Sequence, residues 1–118
     1  RIRLLGIFKM NESKTFIENL NIYDGNITYN DFDIDERIPF DEQKYSYKMD
    51  ILQITFGPRY ILDVGWGPEF NPKGSFLVQA IKDYDWLKPL IEKKCHSLAE
   101  LKKTIEETAE LLSLKNAN

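Results

Sequence analysis

The chain has 118 residues, is 42% apolar with two Trp, six Tyr and seven Phe, and carries a formal net charge of −3. That size suits one domain with a packed core and is too small for two ordinary ones. The weak acidity argues against sequence-independent nucleic-acid binding, which needs Lys and Arg to neutralise phosphates, and the single cysteine rules out an internal disulfide or a thiolate metal cluster.

The opening "RIRLLGIFKM" is an apolar run too short for a signal peptide and gives way at once to polar residues. No stretch approaches the roughly 20 apolar residues of a membrane span. A cytoplasmic protein with one domain over residues 1–118 is the expectation.

In chain order, "IRLLGIFK" reads as a strand, and after the polar "NESK" so does "TFIENLNIY". Asp24-Gly25 is a hairpin turn signal ahead of a further strand, "NITYNDFDI". "KYSYKMDILQITF" alternates Tyr45, Tyr47, Met49 and Ile51 before a more continuous apolar run, and "GPR" turns it into "YILDVGW", where Tyr60, Leu62, Val64 and Trp66 share a face. "NPKG" has the Pro and Gly placement of a type I turn, and "SFLVQAIKDY" returns as a strand. "PLIEKKCH" supplies a last short strand or an extended approach. Ser97 and Glu100 form a capping box, and Leu98, Leu101, Ile105, Thr108 and Leu112 follow at helical spacing. A helix over about 97–113 is predicted, with "SLKNAN" as a frayed tail. The fold class is α+β: an antiparallel meander with a C-terminal helix packed on one face.

Residues 31–42, "DFDIDERIPFDE", hold Asp31, Asp33, Asp35, Glu36, Asp41 and Glu42 against one base, Arg37, for a formal charge of −5. The other 106 residues therefore sum to +2. Asp31, Asp33, Asp35 and Glu42 fall at EF-hand ligand spacing, but Glu36 stands where the loop needs Gly, Pro39 interrupts it, and the flanks lack helical pattern. No metal site is expected. In an extended chain, Asp31, Asp33 and Asp35 face one way, about 6.6 Å apart, and Phe32 and Ile34 the other. Such a ladder is either a solvated outer face or a preformed acidic surface for a cationic partner. On the second reading Tyr29, Tyr45 and Tyr47 serve as nearby aromatic anchors.

No catalytic constellation stands out, and no enzyme activity or cofactor is expected. Cys95 and His96 are adjacent, so on an extended chain they point to opposite faces. Asp63, inside an apolar strand, is read as outward-facing, with a pairing to Glu69 or Asp83 as the one enzymatic alternative. "GWGPEF" lacks the strand–loop–helix context of a phosphate loop. Trp66, Phe70, Tyr84 and Trp86 have no basic groove beside them for stacking nucleic-acid bases.

The stretch from Tyr60 to Glu107 resembles the C-terminal half of small bacterial immunity proteins of polymorphic and contact-dependent growth-inhibition toxin systems. The resemblance is carried by "ILDVGW", "PEF" with "NPKG", "DYDW" before "PL", and "SLAELKKTIEE". It implies an α+β, non-catalytic protein that binds one cognate toxin domain, commonly a nuclease. The acidic stretch would then occlude a basic active site. The alternative is an adaptor domain that binds a basic host protein through the same surface.

Overall fold

Each apolar run in the middle of the chain forms one strand of an antiparallel sheet. In the computed structural model, which describes residues 12–118, these are β1 (Asn26–Asn30), β2 (Leu52–Phe56), β3 (Tyr60–Gly67), β4 (Ser75–Lys82) and β5 (Ile91–Cys95). Every strand pairs with its sequence neighbour, so the sheet order is β1-β2-β3-β4-β5. Two α-helices stand beside the sheet among the described residues, α1 (Glu12–Glu18) and α2 (Leu98–Ala117). The α+β meander with a C-terminal helix on one face is therefore the architecture. No helix among the described residues is long and apolar enough to cross a membrane.

The core follows from alternation along the strands. Leu52, Ile54 and Phe56 of β2, Leu62 and Val64 of β3, and Val78 and Ala80 of β4 face the same side and are fully buried. On that side α2 lies across β2 to β5 and sinks Leu101, Ile105, Ala109 and Leu112 into the cluster. Each fully buried Leu or Ile contributes about 1.5–3 kcal/mol. Thr104, on the same stripe, accepts a hydrogen bond from the thiol of Cys95 at 3.3 Å.

Several expectations need correction. "TFIENLNIY" begins as helix α1 rather than a strand, because Phe16 and Ile17 of the helix, with Leu20 just past its end, pack against the core and Phe16 stacks on Phe32 at 4.7 Å. Asp24-Gly25 does turn the chain, closed by the Gly25 N–H on the Ile22 carbonyl at 2.9 Å, but it links α1 to β1 instead of two strands. β1 ends at Asn30. Of "KYSYKMDILQITF", only Leu52–Phe56 is strand, since Phe40–Glu42 and Lys44–Ser46 are single 3-10 turns. The Ser97 hydroxyl caps the N–H of Glu100 as expected, but the Glu100 carboxylate reaches His96 N–H, at 2.7 Å. α2 also runs through "SLKNA", in place of the predicted frayed tail. The predicted strand "IRLLGIFK" lies outside the described residues.

Candidate functional site

Residues 31–35 keep the alternation of a strand without its pairing. Phe32 and Ile34 are buried in the core while Asp31 and Asp33 are exposed. Two hydrogen bonds tie the start of the stretch to the sheet: Asp31 N–H donates to the Ile51 carbonyl beside β2 at 2.8 Å, and Phe32 N–H donates to the side chain of Asn30 in β1 at 3.1 Å. The stretch is thus a loop nailed down by two apolar side chains.

The six carboxylates divide by role. Asp31 accepts the Lys48 ammonium at 2.7 Å and the Tyr29 hydroxyl at 3.4 Å. Burial opposes the charge of Lys48, but Asp31 and Asp33 outweigh it and hold its pKa above the ordinary value. Tyr29 is pushed up by desolvation and by the Asp31 carboxylate. Asp35 forms a fork with the Arg37 guanidinium and also accepts the Arg37 backbone N–H, and the guanidinium bonds come first in lowering its pKa. Glu36 accepts the Leu98 N–H at 3.2 Å, at the positive end of α2. Asp33, Asp41 and Glu42 are exposed and make no ion pair among the described residues. Gln43 ties this loop together: its side chain accepts Asp35 N–H and donates to the carbonyls of Asp35 and Ile38.

The three tyrosines also separate. Tyr45 is exposed, edge-on to Phe70 at 5.2 Å, with the Lys44 ammonium over its ring. Tyr47 packs inward against Trp66 at 4.6 Å and Phe40 at 4.5 Å, and burial raises its phenol pKa. It acts as an anchor of the loop. Tyr29 stands opposite Gln53 in the strand register.

That register reveals a second feature, on the sheet face away from α2. Tyr29, Gln53, Asp63, Gln79 and Glu92 stand side by side across β1 to β5. Gln53 donates to Asp63 at 2.8 Å and Gln79 to Glu92 at 2.8 Å. Asp63, expected to face outward, is on this face but only 9% exposed. Burial pushes its carboxyl pKa up; the Gln53 hydrogen bond works against that shift and the charge of Asp50 adds to it. Glu69 and Asp83 are not among the charges acting on Asp63. Glu69 instead accepts Met49 N–H, and Asp83 is forked to Arg59.

A cavity of about 400 Å³ opens over this row, bounded by Met49, Asp50, Leu77 and Trp86. Its two rims have identifiable causes. On one side the chain at 48–51 bulges over Gly65, between the bonds from Trp66 N–H to Lys48 O and from Ile51 N–H to Val64 O. A Cβ on Gly65 would lie 1.9 Å from the Met49 carbonyl oxygen, so the bulge requires glycine there. On the other side β4 ends in a tight turn with Asp83 and Tyr84 at φ 54° and 61°. Left-handed backbone at a tyrosine is strained, and the Arg59 fork with Asp83 helps hold it. The turn carries Trp86 to the cavity.

Asp63→Asn should therefore raise thermal stability at pH 7. A carboxyl raised on folding favours the protonated folded state, so its ionisation subtracts stability above the folded titration and nothing below the unfolded one. The gap between variant and parent should close as pH falls through the carboxyl range in melting experiments. A variant less stable than the parent at pH 7 would make Asp63 a structural acceptor instead.

Cys95 is buried on Thr104 and His96 is exposed beside Glu100, so the two do not meet. Among the described residues no group of three or more His, Cys, Asp or Glu is placed to hold a metal ion. Asp50, Gln53 and Gln79 escape a reading of the sequence alone. Their signal is nevertheless present: "LQITF", "YILDVGW" and "FLVQAI" each hold one strongly polar side chain, and the antiparallel register aligns the three. Comparison with known proteins finds no matching family model, curated protein or solved structure.

Proposed function

We propose that this chain is an immunity-type binding protein that neutralises a basic toxin domain, a nuclease whose phosphate-binding cleft is occluded by the acidic loop. The observation that carries this reading is the display of Asp33, Asp41 and Glu42. They are exposed carboxylates without ion-pair partners among the described residues, on a loop held by buried Phe32 and Ile34 and by Gln43. Like charges gathered on one loop cost stability in the free protein, and a cationic cleft would relieve that repulsion. Fixing the loop beforehand lowers the ordering cost of binding. The carboxylates would compete with substrate phosphates for the same Lys and Arg side chains, and their field would speed encounter.

The test changes carboxylates that make no hydrogen bond or ion pair among the described residues, combining Asp33→Asn, Asp41→Lys and Glu42→Lys. Reversing Asp35 or Glu36 is less clean, because each accepts a backbone N–H group. Affinity for the partner domain should fall about tenfold, mostly through slower association, with weaker salt dependence. Thermal stability should stay within about 0.5 kcal/mol. Unchanged affinity and salt dependence would remove this loop from the interface.

A further inference from the structure

We propose that the cavity over Asp63 is a receptor for one arginine side chain of a protein partner, with Asp63 and Asp50 as counter-charges and Trp86 as the wall on which the guanidinium lies. The chemical class follows from what the cavity offers. Asp50 and Asp63 supply two carboxylates, and among the described residues no Lys or Arg lines the space. The amide NH2 groups of Gln53 and Gln79 are turned to carboxylates within the row. Asp63, more than nine-tenths buried, has one oxygen on Gln53, and its Oδ2 has no protein partner among the described residues. The same holds for the two glutamine carbonyl oxygens, yet no side-chain polar atom there is both buried and unsatisfied. These acceptors therefore face solvent in the cavity. An occupant must bring donors and positive charge, and a guanidinium brings five N–H groups in a planar fork. Trp86 lines the cavity and is 43% exposed, and indole is the side chain whose ring face binds a cation best.

The source of that guanidinium is argued from the rim and from charge continuity. Met49, on the rim, is 62% exposed, and Leu87, next to Trp86 in the chain, 93%, an apolar border suited to a protein surface. Tyr29 links the two acidic features, since its hydroxyl donates to Asp31 of the loop while it stands opposite Gln53, which in turn stands opposite and donates to Asp63. Assigning the arginine to a basic toxin domain rests on the function proposed above, whereas the guanidinium preference of the cavity does not.

The experiment uses the isolated chain and a small probe, N-acetyl-arginine amide, with the uncharged N-acetyl-citrulline amide as control. Two-dimensional NMR would follow the Trp86 indole N–H and the Gln53 and Gln79 carboxamides. Saturable shifts are expected with the arginine probe, at least about tenfold weaker binding with citrulline, and a loss of about tenfold or more in Asp63→Asn. Trp86→Ala, on an exposed turn, should weaken binding severalfold and serves as a second variant independent of the sheet. No saturable shift, equal binding of citrulline, or indifference to Asp63→Asn would each overturn the proposal. Because the sample holds no partner protein, failure here leaves the acidic-loop interface standing, and failure of the loop variants leaves the cavity result standing.

Discussion

Gly65→Ala should destabilise the protein by roughly 3 kcal/mol. The added methyl would meet Met49 O at 1.9 Å and Met49 C at 2.9 Å, both backbone atoms that no rotamer change can move. Nor can the crossing segment lift away freely. Lys48 O accepts Trp66 N–H at 2.8 Å, Ile51 N–H donates to Val64 O at 3.0 Å, and Met49 N–H donates to Glu69 at 3.0 Å. The methyl must therefore break part of the bulge, and with it the placement of Met49 and Asp50 at the cavity. Gly67→Ala is the internal control, since a Cβ there has nothing within 4 Å. Urea unfolding of the two variants checks this: the midpoint should drop sharply for Gly65→Ala and little for Gly67→Ala. Equal midpoints would mean that the bulge does not press on Gly65.

Trp66→Ala should cost about 3–5 kcal/mol, and its consequence reaches the acidic loop. The indole sits edge-on to Tyr47 at 4.6 Å and to Phe76 at 5.0 Å, with Phe40 at 6.1 Å. Its N–H donates to the Asn71 carbonyl at 2.9 Å, which fixes the β3–β4 turn. Phe40 opens the 3-10 turn that contains Asp41 and Glu42, and Tyr47 follows the next one. Removing the indole takes away the surface on which both rings rest. Hydrogen exchange should therefore accelerate at residues 40–47 in the variant, beyond the change expected from global stability alone. Protection that falls evenly over the whole chain would show that Trp66 is a core residue with no special hold on the loop.

The parts of the fold that were legible in the sequence are those set by local pattern. β3, β4 and the turns around them announce themselves by apolar alternation, "GPR" and "NPKG", and α2 by its stripe and its serine cap. What failed did so for tertiary reasons. Phe16, Ile17 and Leu20 fit a strand or a helix in so short a window, and the stacking partner that decides for the helix, Phe32, is sixteen residues away. The alternation of Tyr45, Tyr47 and Met49 mimics a strand, but these residues fall in a 3-10 turn and a bulge shaped by Trp66 and Gly65. At the candidate site, charge density was legible and role was not. Nothing local marks Asp35 as the partner of Arg37, Glu36 as the acceptor for Leu98, or Asp33 as an exposed carboxylate with no ion pair among the described residues. The cavity needed the strand register, because only pairing brings Gln53, Asp63 and Gln79 into one row.

Whether the acidic loop engages a basic partner is decided by affinity capture at low salt with elution at high salt. The parent chain and the Asp33→Asn, Asp41→Lys, Glu42→Lys variant would be run side by side, with mass spectrometry of the eluates and an activity assay of the captured domain. One basic domain should be recovered in near-stoichiometric amount on the parent, its activity inhibited by the parent chain, and its recovery sharply reduced on the variant. Equal recovery on both chains, or a captured domain that the parent does not inhibit, would contradict an acidic-loop interface.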